Sequence, residues 1–144
     1  MSFELTISSG ENTTHTVDDP TPERIDQAIN DLIPAAFHFA ILESNPPTDN
    51  CWYIQTFIVP NLKPEIKYMV ESRFVYDDYY KHYRSYTTDT DMLKRMFRMF
   101  ALGIIPDVIQ WADITERSIQ LYEELKQGKR DYIPVEFDEP IVGD

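Results

Sequence analysis

An α+β domain is the fold class the sequence predicts: a mostly antiparallel sheet of about five to six strands with helices packed on one face. Three observations predict it. Short runs that alternate apolar and polar side chains recur as far as Thr87. Two segments instead carry apolar residues at helical spacing. Consecutive strand-like runs are joined by short loops, which pairs them antiparallel, and the helices do not alternate with strands as a parallel sheet would require.

Taken in order, "SFELTIS" sets Phe3, Leu5 and Ile7 against Glu4, Thr6 and Ser8, and "SSGEN" turns the chain into "TTHTV", so a first hairpin is expected. In "DDPTPERIDQAINDLIP", Thr21 reads as an N-cap, Pro22 as the first helical residue, and Glu23 sits beside the positive helix end. Ile25, Ala28, Ile29, Leu32 and Ile33 make one apolar stripe, and Pro34 ends the helix. "AAFHFAILES" and "CWYIQTFIVP" are aromatic and β-branched enough to be strands, with "NPPTDN" as the loop between them. Alternation sends Trp52 and Tyr53 to opposite faces, where Trp52 can serve either the core or a partner. His38 reads as a satisfied or edge-facing histidine rather than a ligand.

"TTDTDMLKRMFRMFALG" places Leu93, Met96, Phe97, Phe100 and Ala101 on one helix face, with Lys94, Arg95 and Arg98 on the other and Gly103 closing the helix. Its methionines read as core filling. After a linker around Pro106 and an aromatic Trp111, a further helix from about Thr115 to Gln127 is expected to turn Ile119, Tyr122 and Leu125 inward. Residues 1–130 are expected to form one domain and residues 131–144, with two prolines and several acids, an acidic C-terminal tail.

Bulk properties narrow the function classes. A chain of 144 residues can bury one core unaided, and 42% hydrophobic with 13% aromatic residues argues against disorder. The single cysteine, Cys51, cannot form an intrachain disulfide and reads as a structural thiol in a reducing compartment. The first residues lack a signal peptide's basic start and apolar run, and no stretch approaches the roughly 18 apolar residues of a membrane span, so a cytoplasmic protein is expected. The net charge of -12 is uneven: residues 1–60 carry nine acids and one base, residues 61–100 six acids and eight bases, and residues 101–144 ten acids and four bases. That balance disfavours nucleic acid and anionic membrane as partners and favours a basic protein, although acidity also serves solubility alone.

The hairpin "KYMVESRFVYDDYYKHYRSY" carries the most chemistry. With Asp77-Asp78 at its turn, Val75 faces Tyr80, Arg73 faces His82, Glu71 faces Arg84 and Met69 faces Tyr86. One face then holds Glu71, Arg73, His82 and Arg84 between Tyr80 and Tyr86, and the other turns Tyr68, Val70, Phe74 and Tyr83 towards the helices. Three readings of the patch stand open: a solvated face stabilised slightly by cross-strand pairing, a recognition surface in which Arg and Tyr carry the interface energy, and a catalytic cluster. Catalysis by Glu71 and His82 needs a pocket that a flat sheet does not supply. The chain has no GxSxG, HExxH or Gly-rich phosphate loop, its four glycines are scattered, and His15, His38 and His82 lack metal-ligand spacing. No cofactor and no metal are expected, and an enzyme would require a carboxylate such as Glu43 to reach His82.

The succession "DDPTPERIDQAINDL", "FAILE" ending at Glu43, "YIQ" with Gln55, "VESR" with Glu71 and Arg73, "KHYRS" with His82 and Tyr83, an amphipathic helix ending "FALG", and Trp111 resembles the small bacterial immunity proteins of polymorphic toxin systems, immunity family one. The resemblance spans roughly residues 15–113. It implies a non-enzymatic protein that binds and blocks a cognate toxin, often a basic, nucleic-acid-active one. The candidate binding residues are Glu71, Arg73, His82, Arg84, Tyr80, Tyr86 and Trp111, alongside the acidic surface. The alternative is a small-ligand-binding or regulatory domain in which Arg73, His82 and Arg84 hold an anion.

Overall fold

The computed structural model describes residues 2–10, 12–35, 37–59, 67–127 and 141–142. Strand β1 (Ser2–Ser9) buries Phe3, Leu5 and Ile7 and exposes Glu4, as its alternation requires, and it pairs antiparallel with β2 (Thr14–Asp18) in the expected first hairpin. Helix α1 (Pro22–Asn30) starts where Thr21 Oγ1 accepts from Arg24 N–H at 3.1 Å, with Pro22 in its first turn. It stops at the Asp31 C-cap, short of Pro34. Leu32 is therefore still buried, whereas Ile33, expected on the apolar stripe, is exposed.

Strand β3 (His38–Thr48) runs through the expected "NPPTDN" loop, with a register shift between Glu43 and Thr48 that accommodates the two prolines. The turn into β4 (Cys51–Ile58) is made by Asp49 and Asn50 alone, both at positive φ as a primed hairpin turn demands. Strands β5 (Tyr68–Val75) and β6 (Tyr80–Thr87) form the hairpin expected from the sequence. Helix α2 (Thr90–Ala101) is capped by Asp89, whose carboxylate accepts from Met92 N–H at 3.0 Å. At its other end Gly103 (φ 84) lets Gly103 N–H reach Phe100 O and Ile104 N–H reach Met99 O, the paired bonds of a Schellman stop. Strand β7 (Ala112–Asp113), helix α3 (Thr115–Lys126) and strand β8 (Ile141–Val142) complete the described elements.

Among the described residues, seven strands form an antiparallel path, β2-β1-β3-β4-β5-β6-β7, and β8 adds to β6 in parallel. The sheet is thus larger than the five to six strands expected. The additions, β7 and β8, are two residues each, too short to leave an alternating pattern. Strand residues Phe3, Leu5, Leu42, Ile54, Val70 and Phe74 share one core cluster with Ile25, Ala28 and Ile29 of α1 and Leu93, Phe97 and Phe100 of α2. An Arg98 to Asp26 ion pair at 2.7 Å ties the two helices together. Helix α3 instead meets the sheet at β6, and Ile119, expected to point inward, is exposed. The side chains of Tyr122 and Leu125, and the tail apart from Ile141–Val142, lie outside the described residues. No described helix is long and apolar enough to cross a membrane.

Cys51 is fully buried, 3.1 Å from Ser72 Oγ, and burial pushes its thiol up to about 11, so it is held as an unreactive thiol.

Candidate functional site

The β5–β6 hairpin has the register read from its sequence: Val75 pairs with Tyr80, Arg73 with His82, Glu71 with Arg84 and Met69 with Tyr86. Tyr76 N–H donates to Tyr79 O at 2.9 Å around the Asp77-Asp78 tip, and the Tyr76 and Tyr79 rings stack 4.7 Å apart. Direct pairing puts each couple on one face.

From this pairing a connected polar network follows. Arg73 Nε–H donates to His82 Nδ1 at 3.2 Å. Because a guanidinium can only donate, Nδ1 is the acceptor and the ring carries its hydrogen on Nε2, which donates to Glu71 Oε2. Arg84 Nη2 approaches the same carboxylate oxygen at 3.5 Å. The Arg73 guanidinium lies 4.3 Å from the centre of the Tyr80 ring and 5.8 Å from that of Tyr53. The main chain of His82 is fastened as well: its N–H donates to Thr115 Oγ1 and its carbonyl accepts from Ile114 N–H, both at 2.9 Å. Burial alone would push the Glu71 carboxyl up, but the His82 hydrogen bond and the Arg84 charge outweigh it and hold the group below the usual carboxylate range.

The hairpin face, read from the sequence as solvated, as a recognition surface or as a catalytic cluster, is enclosed at this point. Glu71 and His82 are each 4% exposed, Arg84 1% and Tyr86 0%. Strands β5 and β6 lie inside the sheet, with β4 on one side and β7 and β8 on the other, and Tyr86 packs with Met69 and Val59 in a second small core. These residues therefore offer no flat contact surface, although Arg73 and Tyr80 are half-buried. Trp111, grouped with them from the sequence, is buried in the α1–α2 core instead. Glu43 does not reach His82. It lies three strands away, about 14 Å at ordinary strand spacing.

Glu43 belongs to the far end of the same row. Asp18, Glu4, Glu43, Tyr53, Arg73 and His82 are successive cross-strand partners from β2 to β6, so one line of side chains runs from carboxylates through a tyrosine to the buried network. The acidic end opens into a cleft of about 570 Å³ lined by Glu4, Asp18, Asp19, Glu43 and Trp52, with no cation among its described lining residues. Burial, then repulsion from Glu4, push the Glu43 carboxyl above the usual range, partly offset by a hydrogen bond from Trp52. Asp19 accepts from Phe3 N–H at 3.0 Å.

Trp52 stands on this face because β4 bulges there. Cys51 pairs with Phe74 and Tyr53 with Arg73, leaving Trp52 as an extra residue. The expected opposition of Trp52 and Tyr53 is lost, and their rings meet edge-on at 5.4 Å. Strict alternation could not show the bulge. The acidity of residues 1–60 was the sequence signal for this cleft, but which carboxylates converge depends on strand order.

Among the described residues no group of three or more His, Cys, Asp or Glu side chains is arranged to hold a metal ion. No family model matches the chain, and comparison with curated proteins and with solved structures finds no match. The resemblance to immunity family one therefore rests on the motifs quoted for it.

Proposed function

We propose that this protein is an immunity-type inhibitor that neutralises a basic bacterial toxin by direct binding, through the acidic end of the cross-sheet row. The observation that carries the reading is the convergence of Glu4, Asp18, Asp19 and Glu43 around a Trp52 that is 38% exposed, in a cleft without a cation among its described lining residues. A carboxylate cluster attracts a basic partner at long range, and an exposed indole beside it can stack on an arginine or lysine of that partner. The raised Glu43 carboxyl fits the same purpose, since an incoming cation relieves the repulsion that raises it.

The anion-binding alternative draws less support. Arg73 and His82 are bonded to each other, and His82 has both ring nitrogens engaged within the protein. The buried network acts in this reading as the brace that holds β4, β5 and β6 in register behind the cleft.

Co-expression with the basic product of an adjacent gene tests the proposal. The wild-type chain is expected to protect cells and to bind the purified toxin, with an association rate that falls as salt is raised. Glu4→Lys combined with Asp18→Lys is expected to slow association by about tenfold or more at low salt, with an unchanged melting temperature. Undiminished binding by that variant would overturn the assignment of the cleft, and failure of the wild-type chain to bind would overturn the inhibitor reading.

A further inference from the structure

The helix layer carries a second surface of opposite character. Leu93, Phe97 and Phe100 of α2 are fully buried, which satisfies the core, yet the helix also presents Met92 and Met99 only half-buried, followed by Leu102 at 76% exposure. Two shallow grooves flank this stripe. One, of about 470 Å³, lies between α2 and the start of α1 and includes Pro20, Pro22 and Leu102. The other, of about 320 Å³, lies against Ile104, Ile105 and Pro106, and Arg95 and Met99 form the ridge common to both. The Schellman stop holds Ile104 beside Met99, and Ile104 and Ile109 are themselves exposed at 49% and 86%. Core filling does not require this much apolar surface beyond the buried stripe.

Charge selects the occupant. In a chain of net charge -12, α2 carries an exposed Arg95 on the ridge and a half-buried Lys94 next to it in sequence, and among the described residues neither bonds a carboxylate, whereas Arg98 is matched by Asp26. Asp107, the one acid among the described groove-lining residues, accepts from Ile109 N–H at 3.1 Å. We infer that the α2 ridge is a docking site for an acidic amphipathic helix of a partner protein. Apolar residues at i, i+3 or i+4 and i+7 would enter the two grooves over adaptable methionines, and flanking carboxylates would meet Lys94 and Arg95. Grooves lined mainly by apolar side chains with few cations beside them suit an amphipathic helix better than the phosphates of a membrane or a nucleic acid, which need a denser set of basic residues. This surface does not involve the acidic cleft, so it stands or falls apart from the inhibitor proposal.

Fluorescence anisotropy on the full chain with two labelled synthetic helical peptides tests it. Both share one apolar heptad pattern, one carrying glutamates on its polar face and the other lysines. The acidic peptide is expected to bind at least about tenfold more tightly than the basic one, more weakly as salt rises. Lys94→Glu with Arg95→Glu is expected to reverse that preference. Leu102→Asp, at a side chain 76% exposed, is expected to weaken binding by about tenfold. Neither change is expected to alter the cooperativity of thermal unfolding. Absence of binding, equal binding of both peptides, or indifference to both variants would overturn the proposal. So would concentration-dependent self-association abolished by Leu102→Asp, which would give the grooves to a second copy of the chain.

Discussion

The two ends of the row from Asp18 to His82 both carry charged side chains and meet opposite fates. At the β2–β1–β3 end, Asp18 and Glu4 are exposed, Glu43 is half-buried, and like charges stand side by side with no cation among the described residues that line their cleft. At the β5–β6 end Glu71, His82 and Arg84 are enclosed, and the ring and carboxylate are bonded to their neighbours. A charge in water costs little and acts at long range, whereas a buried charge must be matched in place and acts only on its neighbours. Association can therefore use the first end, and the second serves to hold strands together.

The largest effect that would break this contrast is expected from Glu71→Ala. Removing the acceptor shared by the enclosed Arg84 and His82 takes the Glu71 carboxylate out of the buried network, and a loss of about 3–5 kcal/mol in urea unfolding is expected. A loss under about 1 kcal/mol would mean that the buried end behaves like a surface pair.

The acid limb of stability comes next. Glu71 is held below its unfolded value of 4.5, so its stabilising contribution is complete above about that pH and is lost as pH falls through the lower folded value. Unfolding titrations from about pH 6 down through the ordinary carboxylate range should show a decline that Glu71→Gln flattens while lowering stability at neutral pH. An acid limb identical in wild type and variant would remove Glu71 as its source.

Arg73→Ala should cost less, about 1–2 kcal/mol, because it removes the donor to His82 and the stacking over Tyr80 but leaves the Glu71 hydrogen bond in place. Thermal unfolding measures it, and an effect equal to that of Glu71→Ala would make the network indivisible.

At the open end the sign reverses. Glu43 is raised, so its ionised form is disfavoured by folding, and the penalty is present above the folded value and relieved as pH falls. Glu43→Gln keeps an acceptor for Trp52 and is expected to raise stability at neutral pH, within about 0.5 kcal/mol. Destabilisation would mean that Glu43 is matched by a cation after all.

The smallest effect is spectroscopic. Trp52 is exposed among carboxylates and Trp111 is buried, so the caesium-to-iodide quenching ratio should exceed that of free tryptophan, and Trp52→Phe should remove the quenchable part without changing stability. A caesium-to-iodide ratio equal to that of free tryptophan would place Trp52 outside the acidic field.

Much of the fold was legible in the sequence because its causes are local. Thr21-Pro22 and Gly103 mark helix ends through their own backbone chemistry, and the Asp77-Asp78 turn gives the register that brings Arg73 opposite His82. The limits were local too: a two-residue strand has no period, and the bulge at Trp52 breaks alternation without a residue type that announces it.

By itself, then, the sequence determined the α+β class, the long hairpins, the helix caps and the company that Glu71, Arg73, His82 and Arg84 keep, since parity and turn length need only neighbouring residues. Tertiary structure alone decided that this company is enclosed, that Trp111 leaves it for the other core, and that Asp18, Glu4 and Glu43 continue its row into an open cleft. Solvent access and strand order are properties of distant segments packing together, and no short stretch of sequence contains them.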